Sequence, residues 1–471
     1  MIQPSKRAIL DAGCRPYFDI FIARAFQTVS AGDRYSHNWH IDVVADALNN
    51  CIRGDTKRLI ITMPPRNLKS ICASVAFPAY ALGINPSCSI IAASYSSDLT
   101  TKMARDCRSV MMSDWYRRVF PGTQIKRATD DRLETTAGGF RYATSVGGTL
   151  TGLGADILII DDPVKPLEAM SASQRAAAKQ WYDGTLYSRL NSKRDGVIIL
   201  IMQRLHMDDL VAHVLEKEHW THIDLPAIAE RDEVFLLSDG RRIERKMGAA
   251  LDEQREPLPV LEQIKSTIGS FNFSAQYQQR PVPETGNMIK WDWFQPYDTL
   301  PAGTHGGKIV QSWDTASKAT ELADYSVCTT WFVAGKNYYL LDVFRKRLEF
   351  PALKKAVIDL AQQRKVKTLL IEDAASGTGL IQQLNELSDY GVPNPIAYRP
   401  HGDKVMRMAA QSAVIEAGQV HLPRAAPWLD DFKVEILAFP HGRHDDQVDS
   451  LSQLLDWSQN RPQHKYFIGD I

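Results

Sequence analysis

Four short apolar runs, RLIITM (58–63), SIIAAS (89–94), DILIID (156–161) and VIILIM (197–202), do most to limit what this chain can become. Each is too short for a typical helix and is apolar at consecutive positions rather than alternate ones, the pattern of a strand covered on both faces. Longer stretches of helical composition, such as Ser171–Leu190, separate them. Strand and helix in that rhythm predict an α/β domain with a mainly parallel sheet.

The length of 471 residues, with 44% hydrophobic and 23% charged, leaves room for two or three domains. Lys and Arg (55) balance Asp and Glu (55), which excludes a chain coated in positive charge. A nucleic acid would have to be met by local basic patches. The cysteines Cys14, Cys51, Cys72, Cys88, Cys107 and Cys328 form no C-x-x-C pair, which argues against a zinc framework or a disulfide scaffold and points to a reducing cytoplasm. The apolar stretch Ile71–Ile84 is interrupted by Pro78 and Gly83, so no membrane span is expected, and MIQPSKRAIL has no secretory h-region.

The second half changes rhythm. KIVQSWD (308–314), SVCTTWFV (326–333) and NYYLLDVF (337–344) follow one another closely and predict an antiparallel meander, after which KTLLIED (367–373) returns as a strand ending in acids. Helices are expected after Pro351, at Ser376–Leu387, Lys404–Ala417 and Asp445–Trp457. The stretch 276–293, QYQQRPVPETGNMIKWDW, combines Pro281, Pro283 and Gly286 and reads as a linker between domains at 1–285 and 294–471.

MPPRNLKS (63–70) follows the first apolar run and precedes an apolar helical stretch, the strand-loop-helix setting of a phosphate-binding loop. Lys69 would reach the outer phosphates of ATP and Ser70 would put its hydroxyl on Mg²⁺. Met63 and Leu68 stand at the two glycine positions of the usual pattern, and Leu68 should curtail the left-handed conformations open to glycine. The plain alternative is a proline-rich turn with Lys69 solvated. ADILIIDDP adds Asp161 and Asp162 at a strand end, where one acid can hold Mg²⁺ and its neighbour can orient water; helix capping is the other use of such a pair. Gln203 and Arg204 end the fourth run, at the place of a γ-phosphate sensor or of a solvated loop. Asn38, Trp39 and His40 could touch adenine or belong to a small core.

In the second half, Asp314 ends one strand, Glu372 and Asp373 end another, and HDDQVDS sets Asp445, Asp446 and Asp449 within one helical turn. Carboxylates from two strand ends and a helix can converge on two Mg²⁺ or Mn²⁺ ions, which activate water against a phosphodiester. Any one of these acids alone is as easily a cap or a solvated charge.

Taken together, PPRNLKS, GGTLTGLGADILIIDDP, QRLHMDDL, FSAQYQQRPVP, WDTA, IEDAASGTG and HDDQVDSLSQ resemble, in content and order, the large terminase subunits of tailed bacteriophages. The resemblance implies an N-terminal P-loop ATPase of the ASCE type that drives double-stranded DNA into a procapsid, and a C-terminal RNase H-like nuclease that cuts concatemeric DNA. It implies ATP contacts at Arg66, Asn67, Lys69, Ser70, Asp161 and Gln203, with Ser70 and Asp161 serving Mg²⁺. Asp162 stands where a catalytic carboxylate, often Glu, is found. Asp314, Glu372 and either Asp446 or Asp449 would be the nuclease acids, holding Mg²⁺ or Mn²⁺. Expected partners are the small terminase subunit, the portal protein and further copies of the chain in a ring, with no membrane, in the cytoplasm of an infected bacterium. Leu153, in the glycine-rich run 147–154, stands where related sequences often carry a basic residue, leaving Arg141 and Arg204 as weak arginine-finger candidates.

Arg345, Lys346 and Arg347, and Lys404 with Arg407, could follow DNA phosphates or be solvated faces. No aromatic interleaves them in sequence, which favours backbone tracking over base reading. Two other readings compete: a cellular ATP-dependent helicase or repair nuclease, and an inactive prophage remnant kept as an interaction protein. The meander occupies the place of a second helicase domain, and the acids expected of an active enzyme are intact.

Overall fold

The computed structural model describes residues 6–148, 150, 152–281, 288–301, 306–316, 325–374, 376–386, 391–442 and 444–460. Residues 282–287 of the expected linker, and Thr149 and Thr151 of the glycine-rich run, lie outside them. The chain divides into two compact units, one of 1–265 with 272–282, the other of 266–271 with 283–471.

The first unit is built on an eight-stranded sheet of β1 (Arg58–Thr62), β2 (Ser89–Ser94), β3 (Ile125–Ala128), β4 (Arg132–Thr135), β5 (Phe140–Ser145), β6 (Ile157–Asp161), β7 (Val197–Met202) and β8 (Thr221–Asp224). Their spatial order is β3-β4-β5-β2-β6-β7-β1-β8. From β5 to β8 every pairing is parallel; β3 and β4 are added antiparallel at one edge. The four apolar runs are the four central strands β2, β6, β7 and β1. Their side chains alternate between two cores: Leu59, Ile61, Ile90, Ile159 and Ile199 enter one, Ile60, Ile91, Ile160, Ile198 and Leu200 the other. That double burial is why the runs lack an apolar-polar alternation. β7 lies between β1 and β6, so the strand leading into MPPRNLKS and the strand ending in Asp161 flank it. A small ribbon of β9 (Glu233–Leu236) and β10 (Arg242–Arg245) completes the strands of this unit.

Ser171–Leu190 is helical in three pieces: α-helix Ala172–Trp181, a π-helical turn Tyr182–Leu186 and a 3₁₀ turn Tyr187–Arg189.

The second unit holds β11 (Gln295–Tyr297), β12 (Lys308–Asp314), β13 (Ser326–Ala334), β14 (Asn337–Lys346), β15 (Thr368–Glu372), β16 (Pro395–Tyr398) and β17 (Val420–Pro423), in the order β11-β17-β14-β13-β12-β15-β16. β12, β13 and β14 form the antiparallel meander, and β15 joins β12 in parallel, so the sheet is mixed. Trp313, Cys328, Leu369 and Ile371 face an apolar core shared with helices Phe350–Gln363 and Ser376–Asn385. On the opposite face, helix Asp446–Gln459 docks through buried hydroxyls of Ser312, Thr329 and Ser450.

Candidate functional site

In the first unit, the loop after β1 turns through two left-handed residues, Arg66 (φ 63°) and Leu68 (φ 62°). The expectation that Leu68 would curtail such conformations is therefore corrected: the loop adopts them without glycine, at a cost of roughly 1–2 kcal/mol per residue. Leu68 packs, partly buried, against the core. Arg255 staples the loop from outside, donating to the Arg66 carbonyl and, at 2.8 Å, to Asn67 Oδ1. Asn67 also donates to the Pro65 carbonyl at 3.1 Å, so its side chain organises the loop internally.

Lys69 is buried, with its ammonium 3.1 Å from Asp162 Oδ2. Ser70 and Ser74, one turn apart on the following helix, donate to the two oxygens of Asp161 at 3.1 and 2.6 Å. Burial, and then the charge of Asp162, push the Asp161 carboxyl up to about 7, against the pull of the two hydroxyls and Lys69. Asp162 itself takes φ 45° beyond the end of β6, and its Oδ1 accepts the backbone N–H of Gln203 at 3.1 Å. Gln203 is buried, and its Oε1 has no hydrogen-bond partner among the described residues. Lys69, Ser70, Asp161, Asp162 and Gln203 thus meet, from three neighbouring segments, at the ends of β1, β6 and β7.

Beside the loop lies a cavity of about 370 Å³, whose lining includes Tyr35, His40, Asn67, Leu68 and Arg255. Of the three residues considered for adenine, only His40 lines it. Asn38 caps helix Trp39–Arg53 and donates to the Leu251 carbonyl, and Trp39 packs on Phe235. Both arginines considered as fingers are engaged within this unit. Arg141 is 1% exposed and donates to the Ser74 carbonyl, and Arg204 is paired at 2.6 Å with Asp209.

Sequence reading missed the tie that closes this region. Gln279, buried and left-handed (φ 57°), accepts the Arg204 N–H at 2.8 Å, while Gln278 binds both backbone groups of Ile228 and Arg280 pairs with Asp224. In sequence QYQQRP reads as linker, which suggests no partners for its side chains.

In the second unit, Asp314 at the end of β12, Glu372 at the end of β15, and Asp446 and Asp449 of the helix gather their charges. Burial raises Asp314 well above the usual carboxylate range, followed by Asp449, Glu372 and Asp446, with Lys404 opposing. Glu372 is raised by burial and then by Asp449. Asp373 turns away, accepting from Thr378 and Arg399. Asp445 is the residue preceding the helix rather than part of it, and pairs with Lys404 at 2.7 Å. Lys404 and Arg407 lie against Asp449 at 2.8 and 2.6 Å, so both are paired with the acidic cluster, Arg407 largely buried and Lys404 still reaching solvent.

Among the described residues, no three His, Cys, Asp or Glu side chains stand in the close arrangement of an assembled metal site. The donor chemistry nevertheless fits Mg²⁺ or Mn²⁺: carboxylates gathered so that burial and neighbouring acids raise Asp314 and Glu372 call for a hard cation, and only oxygens are offered. In the first unit Ser70 and Asp161 are the matching oxygen donors.

Residues 311–456 match the family model of the terminase RNaseH-like domain. A search of the curated proteins finds no match. Among solved structures, the large terminase from a thermophilic bacteriophage superposes with a TM-score of 0.52 at 11% identity, over 87% of this chain and 98% of that one. The same protein in complex with ADP gives 0.51 at 11% identity, over 88% and 99%. Residues 311–456 are thus similar to the terminase RNaseH-like domain, and the chain as a whole shares its fold with that phage large terminase.

Proposed function

We propose that this chain is the motor and nuclease of a viral DNA-packaging machine, hydrolysing ATP to move double-stranded DNA into a procapsid and cutting concatemeric DNA with a metal-dependent nuclease. The observation that carries the proposal is the coexistence, in one chain, of the Lys69–Asp162–Asp161 constellation at the ends of parallel strands and the Asp314–Glu372–Asp449 cluster in an RNase H-like sheet.

In the first unit, Lys69 and the backbone N–H groups of the loop address the β and γ phosphates, and Ser70 and Asp161 hold Mg²⁺. Asp162, fixed by the Gln203 N–H and by Lys69, orients the attacking water; the unpartnered Gln203 Oε1 offers a second acceptor to that water. The cavity lined by Tyr35 and His40 takes the nucleoside. In the second unit, Asp314, Glu372 and Asp449, with Asp446 beside them, hold Mg²⁺ or Mn²⁺. A bound pair of such ions supplies the activated water and the stabilised leaving oxygen. Lys404 and Arg407 balance the acids' charge and hold Asp449 in orientation.

The same reading includes a small terminase subunit and the portal protein as partners, with several copies in a ring, in the cytoplasm of the infected host. It puts the domain boundary within 276–293. Purified full-length chain should hydrolyse ATP with Mg²⁺ and nick plasmid DNA with Mn²⁺ or Mg²⁺. A well-folded preparation with neither activity would refute it.

A further inference from the structure

Strand register places a pair of arginines on the same sheet face as the nuclease acids. Val327 lies opposite Asp314 on one side and opposite Arg345 on the other, and directly opposed residues project to the same face. Alternation puts Tyr325 and Arg347 on that face as well, and Lys346 on the other, where its ammonium lies over Phe344. Of the three cations in the run, two therefore share the acids' face and one does not. Arg345 sits two strands from Asp314, about 10 Å at ordinary strand spacing.

The two guanidiniums converge on one ring: their central carbons lie 4.0 Å (Arg345) and 4.1 Å (Arg347) from the centre of Tyr325. His444, two residues before Asp446, packs edge-on against the same ring at 5.2 Å. Arg345 also pairs at 3.3 Å with Glu435, which accepts from both the backbone and side-chain N–H groups of Gln447 at 2.6 Å. The arginines are thereby tied to the first turn of the helix that carries Asp446 and Asp449. The Arg345 Nε is buried with no hydrogen-bond partner among the described residues.

We propose that Arg345 and Arg347, spaced by the Tyr325 ring, form a clamp for DNA-backbone phosphate within a few nucleotides of the bond being cut. This rests on the nuclease reading. Guanidinium forks match phosphate oxygens in pairs, and a cation-π contact holds them in place before the ligand arrives. With two cations against it, the ring is engaged and not open to a base, so the clamp grips without reading sequence.

The test uses the full chain and a fluorescent duplex of arbitrary sequence. Binding is followed in EDTA across a salt series, and cleavage in Mn²⁺. Arg347→Ala should weaken binding about tenfold, lower the salt slope by about one, and raise KM for cleavage while kcat stays within about threefold. Tyr325→Leu should act in the same direction, Tyr325→Phe should restore wild-type behaviour, and Lys346→Ala should change binding less than about twofold. Because Tyr325 is packed, thermal melts of every variant accompany the series, and the partly exposed Arg347→Glu serves as a second probe that should weaken binding further. Wild-type binding and KM in both Arg347 variants, or an equal loss in Lys346→Ala, would overturn the clamp. Failure of the wild-type chain to cut DNA would instead count against the nuclease reading, with the EDTA binding arm still deciding the clamp.

Discussion

Ser312 of β12 and Ser450 of helix Asp446–Gln459 exchange hydrogen bonds: Ser312 Oγ donates to the Ser450 carbonyl at 2.7 Å, and Ser450 Oγ donates to the Ser312 carbonyl at 2.8 Å. Ser450 Oγ also accepts the Thr329 N–H at 3.2 Å. All three residues are fully buried. This pair fixes the helix to β12 two residues from Asp314 and one from Asp449, so the acids' separation depends on it. Ser450→Val should strand buried polar groups and overfill the contact, destabilising the unit by about 2–4 kcal/mol. Urea unfolding would measure that loss, and cleavage should weaken with it.

Lys69→Ala removes the cation beside Asp162 and one phosphate contact. ATP turnover should fall by on the order of 10² to 10⁴, with DNA cleavage in Mn²⁺ retained. A steady-state phosphate-release assay and a plasmid assay on the same preparation check both halves of that expectation.

His40 gives the first unit a pH signature. Burial pushes its imidazole down to about 4 from 6.5, with the charge of Asp252 opposing. The unfolded chain takes up the proton first, so stability is present above pH 6.5 and is lost as pH falls towards 4. The full span corresponds to about 3 kcal/mol. Denaturation midpoints at pH 7, 5.5 and 4.5 should fall in that order, and more shallowly in His40→Gln.

The acidic cluster has the opposite sign. Asp314 and Glu372 are raised by burial and by Asp449, so these two carboxyls favour the metal-free second unit in acid, and their contribution is lost as pH rises above the usual carboxylate range. Cation binding needs the ionised carboxylates. Mn²⁺ should therefore raise the melting temperature more at pH 8 than at pH 6, by several degrees at saturating ion, and EDTA should abolish the difference.

The central strands of both sheets were legible because their apolar runs answer directly to double burial, as at Ile159 and Ile160, or to close meander spacing, as in β12–β14. Edge strands such as β3, β8 and β16 were not: they are short and half exposed, and their pairing is decided by neighbours far away in sequence. The acids were visible as strand-end residues, but sequence could not separate Glu372 from Asp373. Arg399 and Thr378, which draw Asp373 away, arrive from other elements. Lys404 and Arg407 looked like a surface pair because the carboxylate they hold, Asp449, is about forty positions on. Tyr325 escaped notice for a similar reason, since it joins Arg345 and Arg347 only through the pairing of β13 with β14.

The central claim is that one chain carries two separable engines, and Asp314→Asn tests it most directly when ATP hydrolysis and plasmid cleavage are measured on the same sample. The substitution keeps the side chain's size and removes its charge from the acidic cluster. The account predicts that cleavage falls to background while ATP turnover stays within about twofold of wild type. Undiminished cleavage by this variant, in a preparation free of contaminating nuclease, would contradict it.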